Sequence, residues 1–134
     1  MSNVAKEGMV SLNDDLEKLV KTAEKLGEEH QRINLTQIRK FHGHITKIWS
    51  KYIYNKKAYS DPEKFKELRD EIRFMKIFLA YQAARKPELE ALKRLLEPLI
   101  ESINNPLDFE KFKKFYDAFL AYHKFYSEFG KQKK

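Results

Sequence analysis

The chain has 134 residues, no cysteine, and 27 lysines and arginines against 20 acids, for a formal charge of +7. That length builds one hydrophobic core. The missing cysteines exclude disulfides, thiolate metal sites and cysteine nucleophiles, and fit a reducing, cytosolic setting.

Taken in chain order, every segment reads as helix: glycines and prolines punctuate stretches of 3.6-residue period, and none alternates like a strand. The expected fold is all-α, a compact bundle of about five helices. It forms a single domain over residues 1–134, with 1–10 and 130–134 flexible. The first residues, MSNVAKEGMVSLNDD, lack the basic-then-apolar order of a signal peptide, and no apolar run approaches membrane-spanning length. The first helix is expected from Ser11 or Asn13 to Leu26, with Gly27 as its stop and Leu12, Leu16, Leu19, Ala23 and Leu26 as its apolar stripe. The second opens with Thr36 as N-cap and runs to Tyr54. Ser60-Asp61-Pro62-Glu63 reads as a capping box with proline near the first helical position, starting a third helix that reaches Ala84. The last third of that helix, MKIFLAYQAA, is apolar nearly all round and is therefore expected at the centre. A fourth segment, Pro87 to Ile103, should kink or break at Pro98, which removes one backbone bond and clashes one turn back. Asn105-Pro106 starts the last helix, expected to end near Phe129 before a disordered KQKK tail.

The charge is unevenly placed. Residues 32–60 hold seven lysines and arginines and no acid, and residues 111–134 hold seven basic and two acidic residues, so the rest of the chain is net acidic. Sorting of this kind points to a polyanion-binding surface, phosphate backbones first among them. The plainer reading is two solvated helix faces that happen to be basic.

TQIRKFHGHITKIWSK (36–51) holds the candidate chemistry. A metal site is rejected, because two positions on a helix turn His42 and His44 roughly 200° apart and no HExxH or carboxylate cluster supports them. A ribonuclease is the enzyme alternative: Arg39 and His44 satisfy the R-x4-H spacing of the helical HEPN ribonucleases, with His44 as general acid–base and Arg39 on the phosphorane. The match is weak, since six arginines and four histidines make one such spacing unsurprising. The basic-face reading explains more. Ile38, Phe41, Ile45, Ile48, Trp49 and Tyr52 share an arc of roughly 100°, and Arg39, Lys40, Gly43, His44, Lys47, Ser50 and Lys51 take the other side. That pairs a core stripe with a cationic stripe giving affinity without sequence readout. On the third helix Arg69, Arg73 and Lys76 line one edge, and Arg85 and Lys86 sit at its end, where cations also suit the macrodipole. On the last helix the aromatic stripe from Phe109 to Tyr126 reads as core, with His123 a buried structural histidine and Lys113 and Lys124 turned toward a phosphate. A helical adaptor whose basic faces meet an acidic protein is the third reading.

Three segments, TQIRKF (36–41), LAYQAARKP (79–87) and FYDAFLAYHKFY (115–126), together resemble the small subunit of the type III-A CRISPR effector, the Csm complex. The resemblance covers residues 36–126; the first helix matches only in kind. It implies a cytoplasmic, prokaryotic, non-catalytic helical protein, present in several copies that stack into a filament beside the subunits holding the guide. Its partners would be the guide RNA and target RNA backbone, the other Csm subunits, and further copies of itself. By motif, Arg39, Lys40, Arg85, His123 and Lys124 are the matched positions; Lys47, Lys76 and Lys86 are added from charge geometry. The pattern departs at FHGH, whose histidines inherit no role, and at Asp117, where a glutamate is expected. The reading is thus an RNA-backbone-binding subunit for which base pairing reads sequence and the protein reads shape and charge.

Overall fold

Five α-helices follow one another in the computed structural model, which describes residues 10–133, with side chains to residue 129. They are α1 (Leu16–Glu29), α2 (Leu35–Tyr54), α3 (Pro62–Arg85), α4 (Glu90–Glu101) and α5 (Pro106–Lys133). Short 3-10 turns at Ala58–Ser60 and Pro87–Leu89 lead into α3 and α4. The fold is all-α, as expected. No described helix is long and apolar enough to cross a membrane. Of the ends expected to be flexible, residues 1–9 and 134 lie outside the described residues; Val10 is buried, and α5 runs to Lys133 rather than ending near Phe129.

Two helix pairs make the body, α1 along α5 and α4 along α3, and α2 joins them by packing on both α3 and α5. The centre is the aromatic stripe of α5: Phe109, Phe112, Phe115, Tyr116 and Phe119 are each 0% exposed, so each gives its full apolar area to the core. Truncating one such phenylalanine to alanine costs about 3–5 kcal/mol. Tyr116 carries a hydroxyl into this interior and donates it to the Ile38 carbonyl of α2 at 3.0 Å. Burial raises its pKa well above the ordinary tyrosine value.

Several local expectations need correction. MKIFLAYQAA is not central: Ile77 and Tyr81 are 58% and 61% exposed, as is Phe74 just before it at 68%, so only one side of that run faces the core. Leu16 is likewise exposed. Helix α2 is capped by Asn34, whose side chain accepts from the Thr36 amide at 2.8 Å, so Thr36 lies inside the helix. At α3 the Asp61 carboxylate is the cap, taking the Lys64 amide, while the Ser60 hydroxyl turns back to the Lys57 carbonyl. Helix α4 continues through Pro98 without a break. Leu99, Ile100 and Ile103 hold its last turn in the core, and both the amide and the hydroxyl of Ser102 bond the Pro98 carbonyl.

The largest correction is at Gly27. Helix α1 starts after Asp15, which caps the Lys18 amide at 2.9 Å, and runs past Gly27 to Glu29. Gly27 is buried against α5, where an added Cβ would meet the His123 amide nitrogen at 2.8 Å and Tyr122 Cβ at 2.9 Å. Backbone is that close only because no side chain intervenes. Gly43 of α2, by contrast, is exposed, with nothing within 4 Å of such a Cβ. Gly27→Ala should therefore destabilise the fold by about 1–3 kcal/mol in urea titration, whereas Gly43→Ala should stabilise it by about 0.5–1 kcal/mol. Equal effects at the two positions would contradict the close approach of α1 to α5.

Candidate nucleic-acid interface

Helix α2 presents two sides to neighbouring helices, and a groove opens along each. On the α5 side lies a groove of about 450 Å3 lined by Leu35, Arg39, His42, Lys113, Asp117, Leu120, Ala121 and Lys124. Its floor is a neutralised cluster: the Asp117 carboxylate takes the Lys113 ammonium at 2.8 Å and His42 Nε2 at 2.8 Å. Lys113, expected to face a phosphate, is instead 12% exposed and lies 5.4 Å from the centre of the Trp49 ring. Arg39 and Lys124, 85 positions apart in the chain, thus meet at the rim of one groove. Neither has an acidic partner within 4 Å among the described residues.

Helix order brings more cations to this end. Lys51 bonds Glu71 and the His44 ring lies 4.2 Å from Phe78, so α2 and α3 run antiparallel. That register sets Arg85 and Lys86, at the end of α3, level with the start of α2, close to Arg39 and Lys40 along the bundle axis. Arg85 lies 5.7 Å from the centre of the Tyr81 ring, a placement that holds a guanidinium without neutralising it. Arg39, Lys40, Arg85, Lys86 and Lys124 are all exposed.

The other sequence-predicted positions are arranged differently. Lys47 is exposed on the opposite side of α2, in a groove of about 630 Å3 shared with His44, Ile48, Lys51, Phe74 and Phe78. Lys76 is ion-paired with Glu101 of α4. Arg73 serves the fold: its guanidinium donates to the Glu101 carbonyl at 3.0 Å and to Asn104 Oδ1 at 3.1 Å, holding the α4–α5 turn. The acid-free stretch is also less cationic than it reads, because Lys51 pairs with Glu71 and Lys56 with Glu110. Sequence could not show these pairings, since each acid comes from a distant helix. Arg39 and His44, the spacing that suggested a ribonuclease, open onto different grooves. The His44 pKa is lowered, first by burial and then by Lys47 and Lys40.

A small all-helical protein with cations of α2 and α5 on open grooves, lacking an acidic partner among the described residues, is the class that this fold and surface define. Residues 13–128 match a family model described as Csm2 Type III-A. The chain belongs to that family and is a subunit of the Csm complex of type III-A CRISPR defence, where it associates with other Csm subunits. No curated protein and no solved structure matches it.

His123, a family-matched position, is 0% exposed and so is unavailable to any ligand. Its Nε2–H donates to the Ile33 carbonyl at 2.8 Å, and its Nδ1 is buried with no hydrogen-bond partner. The histidine expected to be structural is so. Burial lowers its pKa below 6.5, only partly offset by the carbonyls of Ile33 and His30. The unfolded chain therefore takes up this proton more readily, so the stabilisation is full above pH 6.5 and is lost as pH falls through the folded value. Urea titrations either side of pH 6.5 should show that loss, flattened in His123→Gln, with the remaining slope from His30 and His44, whose pKa values burial also lowers. An unchanged slope in His123→Gln would contradict the buried neutral imidazole.

Proposed function

We propose that this protein is a non-catalytic Csm subunit that binds the sugar–phosphate backbone of guide and target RNA in the prokaryotic cytoplasm, with several copies standing side by side as a filament. Arg39, Lys40, Arg85, Lys86 and Lys124 form the contact surface, and Lys47 extends it along α2. Lys76 joins only where a phosphate displaces Glu101.

The observation that carries this reading is the gathering of Arg39, Lys40, Arg85, Lys86 and Lys124 toward one end of the bundle without acidic partners among the described residues, while other lysines of the same basic segments are neutralised. Lysine and arginine neutralise phosphates and release counterions, and exposed groove rims suit a backbone better than a base edge. Each copy has few such contacts, so affinity comes from adjacent copies on one strand, which add avidity without new contacts.

The test is a gel-shift series of purified protein on single-stranded RNA of about 40 nucleotides, a length offering several adjacent sites, across a salt range with and without EDTA. A salt-sensitive shift with intact RNA is expected. Arg39→Glu/Lys124→Glu should abolish it, and each single cation→alanine change should lower the salt slope by about 0.7 per protomer. Lys93→Ala, at a lysine already paired with Glu97, should leave binding unchanged. Cleavage that survives EDTA and disappears in His44→Ala would replace this reading with the ribonuclease.

A further inference from the structure

The groove between α2 and α5 holds an acid where a phosphate-binding surface is expected to have none. Of the described side chains that line it, Asp117 alone is acidic, and it shares the opening with Arg39 and Lys124. Part of its role is plain: it pairs with Lys113 of its own helix and takes the Nε2–H of His42 across from α2. Those bonds do not exhaust it. Oδ1 accepts from His42 at 2.8 Å and from Lys113 at 3.0 Å, whereas Oδ2 accepts only from Lys113, at 2.8 Å. A carboxylate oxygen accepts about two hydrogen bonds. Oδ2 therefore keeps an acceptor position, on a side chain that is 45% exposed.

The neighbours of Asp117 decide what can use that position. The contacts of Ile33 with His123, Ile38 with Tyr116 and His42 with Asp117 run α2 antiparallel to α5. Asp117 and Lys124 stand two turns apart on α5, about 10 Å along its axis, with Leu120 and Ala121 between them on the groove wall. Arg39 precedes His42 by nearly one turn of α2, so it lies between the levels of Asp117 and Lys124. A strand that follows the rim past Lys124 and Arg39 thus carries a neighbouring sugar to Asp117. A phosphate is refused there, because it has only acceptors and a like charge. A sugar hydroxyl is accepted, because it can donate. The Lys113 ammonium beside the carboxylate offsets its charge toward the flanking phosphates. The small side chain of Ala121 leaves room for the sugar to come close.

We propose that Asp117 reads the ribose 2′-hydroxyl. The hydroxyl donates to Oδ2 while Arg39 and Lys124 hold phosphates of the same strand, so the groove tells RNA from DNA without reading a base. This rests on the reading that the groove binds a nucleic-acid backbone, and names the sugar it selects. Cations cannot supply that selection, since both polymers carry the same phosphates. The 2′-hydroxyl can, because it marks RNA at every position whatever the sequence. Deoxyribose sets a C–H against Oδ2 and leaves an acceptor that has lost its water without gaining a partner. Lys113 and His42 are positioning residues, which fix the carboxylate through Oδ1 and leave Oδ2 the less occupied oxygen.

Fluorescence anisotropy at one salt concentration tests this on three single strands of one sequence and about 40 nucleotides, built on ribose, deoxyribose and 2′-fluororibose. The 2′-fluoro strand keeps the sugar pucker of RNA and lacks the donor, which separates a hydrogen bond from recognition of shape. The wild-type protein should bind RNA at least about tenfold tighter than either other strand, the worth of one hydrogen bond to a charged group. Asp117→Ala should bind the three strands equally, because the acceptor is gone while Arg39 and Lys124 remain. Lys93→Ala, far from the groove and already paired with Glu97, should keep the wild-type preference. RNA bound by the wild type no tighter than either other strand, or a preference that survives in Asp117→Ala, would overturn the proposal and leave the backbone-binding reading standing. If the wild type binds none of the strands even at low salt, both fall together.

Discussion

The approach of α1 to α5 at Gly27 sets the geometry on which the rest depends. With no Cβ at that point, the α1 backbone rests directly on the α5 backbone at Tyr122 and His123. That proximity covers the stretch of α5 where His123 bonds the Ile33 carbonyl, just before α2 begins. The start of α2 is thereby fixed relative to α5 by a buried hydrogen bond on one side and by Tyr116 to Ile38 on the other. Arg39 and Lys124 share a groove because these two bonds leave α2 no freedom to slide.

The same framework decides which charges remain free. A lysine beside a carboxylate in a half-buried groove pairs with it, and the pair loses its field at a distance. Lys113 with Asp117, Lys56 with Glu110 and Lys51 with Glu71 are neutralised in this way. Lys111 is spent on the carbonyls of Leu12 and Asp14, which tie the segment before α1 to α5. What survives is a smaller cationic surface than the composition suggests, and a more localised one.

Much of this was legible in the sequence, for identifiable reasons. The core arc of α2 and the aromatic stripe of α5 follow from periodicity, because a buried helix face must repeat every three or four residues. The family resemblance joined Arg39, Arg85 and Lys124, which no local pattern connects. Gly27 misled because a glycine after a periodic stretch reads as a stop, and only the neighbouring helix shows that it is a packing contact. MKIFLAYQAA misled because an apolar run does not distinguish a buried helix from one with an uncovered apolar side.

Helix α2 ties these features together. Its buried face anchors the bundle, one flank lines the groove shared with α5, and the other lines the groove shared with α3. Arg39 stands on the first flank and Lys47 on the second, so the register that the buried contacts impose on α2 places both cations at once.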